Sequence, residues 1–387
     1  MGQRCISGVW DESIPGIKFD DNGISNYAKM FQKFTELYPR GEKGLADWEE
    51  WLKRIKNDGK NRRYDCIVGV SGGTDSCYLL YIANKYGLRP LAVNLDNGFS
   101  SKTAVENIKK VTNALKIDLE TYVIDYEEVK AVLRAYIKAS LPWIDGPTDL
   151  AIKAALYRIA EREGVNYIFN GSDFRSEGKQ PTEWTYSDAR QLLYLLKKYE
   201  HIKLKSFPYY TILQFIRFGY LKKIKMLRPY YYLDYEKGKA QEFLKQEYNW
   251  EYYGGHHHEN IFTRFAISYW LPEKFGIDKR IITLSALVMN SEITREQALN
   301  ELKQDPYNPD EMRYDKEYVL KKIEMTNEEF EECFSKPNKY YYDYPSYMPL
   351  LRKYYKLSKS VLSKVLPFTP TFFYEYEIRN PKYENIY

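Results

Sequence analysis

The chain has 387 residues, 44% of them hydrophobic, with 58 Lys plus Arg against 53 Asp plus Glu; this is an ordinary globular composition with length for two or three domains, and a net charge of +5 is too slight to demand a nucleic-acid partner. A mean hydropathy of −0.60 and the lack of any run of ~18 apolar residues exclude a membrane-spanning helix, and with no basic-then-apolar leader at the start the expected location is the cytoplasm. The four cysteines, Cys5, Cys66, Cys77 and Cys333, include no CxxC pair, which excludes a disulfide framework, an intact four-cysteine zinc ribbon and a thioredoxin-type redox pair.

The chain opens on a turn-rich segment, Ile14-Pro15-Gly16-Ile17-Lys18-Phe19-Asp20-Asp21-Asn22-Gly23. Helical spacing follows over 25–37 and 45–56, and the polar, Gly-punctuated run 57–63 sets a boundary. From 64 onward, short apolar runs at 64–70, 90–95, 119–124 and 165–170 alternate with helical patterns at 75–85, 101–115, 127–140 and 149–163. That alternation predicts an α/β fold, a parallel sheet with helices on both faces. Ligands of such sheets bind at the carboxyl ends of the strands. The stretch 197–228 then carries nine Lys or Arg, one Glu and interleaved aromatics. RNA, an anionic membrane surface, or a buried or docking helix carrying Ile212, Leu213, Phe215 and Ile216 would each use it; the last reading is preferred. Peripheral membrane contact is left open and no nucleic acid is expected. Beyond Asp234 the pattern is mostly helical, with helices expected over 292–302 after Ser291 and over 327–334 after Thr326, both good N-caps. The resulting division is 1–60, 61–235 and 236–387.

Chemistry concentrates where the first strand runs into a helix, at Ser71-Gly72-Gly73-Thr74-Asp75-Ser76. Two glycines let the backbone turn sharply and approach an anion, and amide hydrogens at a helix N-terminus favour phosphate. Ser71 and Ser76 add hydroxyl donors, and Asp75 can hold Mg²⁺ against the phosphates. No Lys stands at the Walker position, so this is not a P-loop NTPase.

SGGTDS resembles the PP-loop of the ATP pyrophosphatase superfamily, whose fold is adenine nucleotide alpha hydrolase-like. The resemblance implies that ATP and Mg²⁺ bind at Ser71, Gly72, Gly73, Thr74, Asp75 and Ser76, with Val93, near the end of the second strand, facing adenine and Gly171 beside the same nucleotide. Further blocks, PGIKFDDNG (15–23), DGPTDLAI (145–152), NGSDFRSEG (170–178), YYGGHHHENIFTRF (252–265), LPEKFGIDKR (271–280) and EITREQALNEL (292–302), resemble the N-acetyl sugar amidotransferases of surface-polysaccharide biosynthesis. This implies a reaction in which ATP adenylates a sugar acetamido oxygen, ammonia displaces AMP, and an acetamidino sugar results. A diacetamido uronic acid or a nonulosonic acid relative fits that branch. Members often carry two CxxC pairs near the start. Here those positions are Cys5, Gly8, Ser25 and Ala28; one thiol cannot hold a tetrahedral zinc, so residues 1–60 are expected to keep the loop and helices without structural zinc.

A glutaminase needs an activated Cys. The chain begins Met1-Gly2, and Cys66, Cys77 and Cys333 lie in DCIV, SCYL and ECFS, none a Gly-flanked elbow. Ammonia is therefore expected from a separate glutaminase subunit resembling that of the histidine pathway. His256, His257, His258 and Arg264 are candidates for binding the nucleotide sugar. Lys279 and Arg280 are candidates for neutralising pyrophosphate or a sugar carboxylate and, with Asp75 and Ser76, form the expected catalytic set. Asp173 or Glu177 is expected to complete the Mg²⁺ shell with Asp75. Asp149, beside Asp145, is read as a helix cap, and Cys77 as core. The rival readings are a tRNA-modifying PP-loop enzyme and a nucleotide-binding scaffold without catalysis.

Overall fold

The computed structural model describes residues 2–255, 258–366 and 369–380. At its centre lies a five-stranded, wholly parallel sheet: β1 (Cys66–Gly69), β2 (Pro90–Asp96), β3 (Leu119–Val123), β4 (Tyr167–Phe169) and β5 (Lys225–Leu227), ordered β3-β2-β1-β4-β5. Alternate side chains serve two cores. Cys66, Val68, Ala92, Phe169 and Leu227 face one side, and Ile67, Leu91, Val93, Ile168 and Met226 the other. After α1 (Asn26–Leu37), the first side is covered by α2 (Gly41–Gly59), α3 (Thr74–Lys85) and α4 (Lys102–Leu115). After α5 (Tyr126–Lys138), the second is covered by α6 (Gly146–Arg162). Strand order reverses at β1, which pairs with β2 on one edge and β4 on the other. The crevice for a ligand therefore opens beyond β1 and β4.

Between β4 and β5 run α7 (Phe174–Glu177), α8 (Thr182–Thr185), α9 (Ala189–Tyr199) and α10 (Ile212–Ile216), the last continuing in π-helical turns over Arg217–Leu221. Of the two preferred readings, a buried or a docking helix, this corrects the buried one. Leu213 is 75% exposed, and the residues that reach the core are Phe218, Ile224 and Met226. Phe218 stacks on Tyr157 of α6, because an edge strand of three residues needs a cover of its own. Two of the basic residues are spent on α6: Arg217 (3.0 Å) and Lys222 (2.9 Å) both pair with Glu161.

After β5 the described residues are helical: α11 (Lys237–Tyr248), α12 (Ile261–Phe265), α13 (Arg280–Met289), α14 (Arg295–Glu301), α15 (Pro309–Ile323), α16 (Asn327–Ser335), α17 (Met348–Lys353), α18 (Tyr355–Val365) and α19 (Thr371–Arg379), with π-helical turns over Ala266–Lys274. Helix α16 starts where expected, its Thr326 and Glu329 forming a capping box. Helix α14 does not. Ser291 has φ +61 and follows the end of α13, a left-handed conformation that terminates a helix. The cap of α14 is Thr294, boxed with Gln297.

The N-terminal loop closes without four thiols. The Ser25 amide donates to Cys5 Sγ at 3.2 Å, the Ser7 hydroxyl lies 3.3 Å from the same sulfur, and Arg295 donates to the carbonyls of Cys5 (3.2 Å) and Gly8 (2.9 Å). The Ser25 hydroxyl caps α1 through the Ala28 amide. Burial works against a thiolate at Cys5, yet the hydrogen bonds from Ser25 and Ser7 hold its pKa below the ordinary thiol value.

Trp48 of α2 is fully buried and packs edge-on against Phe169 of β4 and Tyr86. Trp48→Ala is expected to cost about 3–5 kcal/mol, read as a lowered midpoint in urea unfolding.

Candidate active site

Beyond the carboxyl ends of β1, β2 and β4 lies a cavity of about 410 Å³. One pole is lined by Ser71, Val93, Asn94, Leu95, Asn170 and Gly171, the other by Trp143, Asp145, Thr148, Asp149, Thr263 and Lys279, with Glu259 also on the wall. Of the residues expected in the sequence to bind or catalyse, Ser71, Val93, Gly171 and Lys279 line it.

The anion-binding turn is held closely. Gly72 has φ +84, and a Cβ there would come within 2.2 Å of the Ala104 carbonyl oxygen of α4; only glycine meets both demands. The Ser71 amide donates to Ser76 Oγ at 3.2 Å, and the Gly73 amide to Ser71 Oγ at 3.3 Å. The chain around residues 250–260 covers this turn. Trp250 Nε1 donates to the Gly72 carbonyl (3.0 Å), the Thr74 amide to the Tyr253 hydroxyl (3.3 Å), and the Ser71 hydroxyl to Glu259 (3.1 Å). An antiparallel bridge between Ser100 and Asn260 fixes the cover to the loop after β2.

Asp75, in the first turn of α3, accepts from the Tyr235 hydroxyl and lies 3.0 Å from Lys237 Nζ. Of the two carboxylates expected to complete an Mg²⁺ shell with Asp75, Asp173 is taken up by arginine. Asp173 is buried and paired with Arg40 at 2.8 Å, with Arg175 at 4.0 Å; burial raises its pKa, and the two arginines pull it back. Glu177 acts electrostatically on Lys237 and Lys279. Among the described residues no group of three or more His, Cys, Asp or Glu is arranged to hold a metal ion.

Arg264, Arg280 and Asp149 have other partners than expected. Arg264 does not line the cavity; it grips Asp315, whose side chain is wholly buried, through two bonds of 2.5 and 2.6 Å. Arg280 binds Asp278 (2.8 Å) and the Gln304 carbonyl (2.9 Å), tying the start of α13 to the segment after α14. His256 and His257 lie outside the described residues, and His258 sits in a turn, its amide 3.4 Å from the Gly255 carbonyl. Asp149 does not cap α6, since the N-cap is Asp145. Instead Asp149 accepts from Trp143 Nε1 at 2.8 Å.

At the second pole the expected Lys279 meets Trp143 and Asp145. Lys279 Nζ stands 3.9 Å over the Trp143 ring, a cation–π contact. Burial drives its pKa down to about 8 against the pull of Asp149, Asp145 and Glu177. Asp145 is 3% exposed and accepts from Thr263 Oγ1 at 2.5 Å. Burial, with help from Asp149, raises its pKa to about 7, while the Thr263 and Thr148 hydroxyls and Lys279 hold it back. The block DGPTDLAI marked this segment in the sequence; both its carboxylates line the cavity, and nothing local told that Asp145 is the buried one and Asp149 the exposed one. All four cysteines are buried. Burial pushes Cys66 well above the ordinary thiol value and Cys77 to about 12, the opposite of an activated nucleophile.

Residues 259–360 match the C-terminal domain of WbpG-like LPS biosynthesis proteins. The matched segment begins at Glu259 and carries Thr263 and Lys279 of the cavity wall. An uncharacterized protein of Methanocaldococcus jannaschii, MJ1599, is 26% identical over 272 residues, covering 68% of this chain and 80% of that protein. A tRNA(Ile)-lysidine synthase from Nitratidesulfovibrio vulgaris is 36% identical over 87 residues, only 25% of its own length. Among solved structures, the NMN synthetase of Francisella tularensis (15% identity, TM-score 0.26) covers 52% of this chain and 92% of its own. The NH3-dependent NAD synthetase of Campylobacter jejuni (18%, 0.27) covers 56% and 94%, and the U34-tRNA thiolase NcsA of Methanococcus maripaludis (13%, 0.32) covers 65% and 79%.

Two outcomes follow from this geometry. Gly72→Ala must move the turn off α4, and MgATP binding followed by calorimetric titration is expected to weaken about tenfold, ~1.4 kcal/mol. Arg264→Ala strands a buried carboxylate and is expected to cost about 3–5 kcal/mol in urea unfolding; unchanged stability with a raised KM for a nucleotide sugar would return Arg264 to substrate binding.

Proposed function

We propose that the chain is an ATP-dependent amidotransferase that converts an acetamido group of a nucleotide-activated sugar into an acetamidino group, releasing AMP and pyrophosphate, in surface-polysaccharide assembly. The observation that carries this reading is the placement of SGGTDS at the reversal of strand order, opening into one cavity with ionisable groups at its far pole. The match of residues 259–360 to the C-terminal domain of WbpG-like LPS biosynthesis proteins supports the polysaccharide context.

On this reading ATP lies with its phosphates against Ser71–Ser76 and its base toward Val93 and Gly171, and Asp75 and Glu259 offer carboxylates to the magnesium ion that ATP brings. The acetamido oxygen attacks the α-phosphorus, pyrophosphate leaves, and the oxygen is left as a good leaving group. Lys279, a cation beside the second pole, balances the charge of the sugar nucleotide or of the departing phosphates. Ammonia comes from a separate glutaminase subunit, in keeping with four buried thiols, two of them strongly disfavoured as thiolates.

The test supplies protein, ATP, Mg²⁺ and ammonium with UDP-linked N-acetyl and diacetamido hexuronic acids. AMP and a sugar product in which mass spectrometry shows oxygen replaced by NH are expected. ADP in place of AMP overturns the proposal. Glutamine alone is expected to give no product until a glutaminase subunit is added.

A further inference from the structure

The amidine-forming reading leaves one requirement without an agent. When ammonia bonds to carbon, the new nitrogen is positively charged and must lose a proton before AMP can depart cleanly. A base must therefore lie inside the cavity, screened from water and fixed in place.

Asp145 has the required placement. It occupies the N-cap of α6, yet its side chain does not cap that helix. The carboxyl instead turns to the cavity wall, where Oδ2 accepts from Thr263 of α12. Its other oxygen, Oδ1, is buried and accepts no hydrogen bond of normal geometry, although the Thr148 hydroxyl lies near enough to act on the carboxyl. An orphaned buried acceptor is costly, about 1–3 kcal/mol, and such a cost persists in a cavity wall where a ligand's N–H supplies the missing donor. The mounting is rigid, because the neighbour of Thr263, Arg264, is clamped on Asp315. The charged groups that act on Asp145 are Asp149 of its own helix and Lys279 from the segment before α13. They and burial leave the carboxyl near neutrality, the range in which a general base works best at physiological pH. Asp149, by contrast, is exposed and engaged with Trp143, and Glu259 is engaged with Ser71 at the phosphate turn.

We propose that Asp145, a lining residue of the cavity, is the general base of the ammonia step, its carboxylate taking a proton from the incoming nitrogen. This rests on the function proposed above. The nitrogen lone pair of ammonia forms a C–N bond to the adenylated, N-protonated imidate carbon, giving a tetrahedral centre that bears −NH3⁺. One N–H bond breaks and its proton passes to the Asp145 carboxylate. The C–O bond then breaks with its electron pair leaving on AMP, and the sugar nitrogen, which kept its own proton, shares the positive charge of the resulting amidinium. One proton is released overall, and it is the one Asp145 carries to solvent.

The experiment separates the two halves of the reaction. Substrate-dependent exchange of labelled pyrophosphate into ATP reports adenylation, and ammonia-dependent amidine formation reports the second half, both with the UDP-linked hexuronic acids. Asp145→Asn is expected to lower amidine formation about 10²-fold or more beyond any loss of exchange. In the wild type, kcat/KM for ammonia, expressed per free NH3, is expected to fall below about pH 7 as the base is protonated, and the variant loses that limb. Thr263→Val removes a hydrogen bond that favours the carboxylate, so it is expected to move the limb to higher pH; this variant serves if Asp145→Asn does not fold. Equal losses in exchange and amidine formation, or an acid limb unmoved in Thr263→Val, overturn the assignment. A wild type with neither exchange nor AMP formation removes the proposed function and the base with it.

Discussion

Gly72 sits so near α4 that its missing side chain is the condition for everything at the carboxyl edge of the sheet. With the turn pressed against the Ala104 carbonyl, Trp250 can bond the Gly72 carbonyl and Asn107 of α4 can bond the Glu251 carbonyl. These contacts bring the chain after α11 back over the phosphate turn. From there Glu259, Asn260 and Thr263 follow in order along the cavity wall. One close backbone approach thus couples the pole at Ser71 to the pole where Asp145 and Lys279 stand. A side chain at 72 would loosen the turn and the cover together.

Charge is used in two distinct ways. Away from the cavity, buried carboxylates are paired with arginine: Asp173 with Arg40, Asp315 with Arg264, and Glu375 and Glu183 with Arg379. Removing one partner of such a pair strands a buried charge, so these residues tie the α1–α2 connection to the start of α7, α12 to α15, and α8 to α19. In the cavity the pairing is incomplete. Asp145 has one oxygen without a normal hydrogen bond and Lys279 meets an aromatic face. Both pKa values are drawn toward neutrality by burial, which is the electrostatic setting that proton transfer needs.

The 39 tyrosines acquire part of an explanation in the same terms. Tyr230 and Tyr235 stack with ring centres 4.0 Å apart, and their hydroxyls bond the carbonyl and the carboxylate of Asp75. Tyr253 reaches the Thr74 amide. A tyrosine fills a core with its ring and still delivers a hydrogen bond at its end, which suits a polar turn surrounded by helices.

Periodicity alone located four of the five strands and the helices around them, because their apolar residues repeat every second or every third to fourth position. The motif SGGTDS located the phosphate turn, since glycine, hydroxyls and a strand-to-helix junction are local features. The edge strand Lys225–Leu227 stayed hidden in a basic, aromatic run, where three residues are too few to show a period. The division of labour among charged residues was equally illegible. Arg264, Arg280 and Asp173 look like site residues in the sequence, yet each is consumed by a partner, Asp315, Asp278 or Arg40. Asp145 and Asp149 look interchangeable, and only the fold sets one against Thr263 at the cavity wall and the other against Trp143. The sequence by itself determined four strands of the sheet and the glycine turn that follows β1, because those depend on neighbours a few residues away. Tertiary structure alone decided which charges are neutralised and which face the cavity, because Arg40 lies 133 residues from Asp173 and Thr263 lies 118 from Asp145, and a charge's role is set by what folds against it.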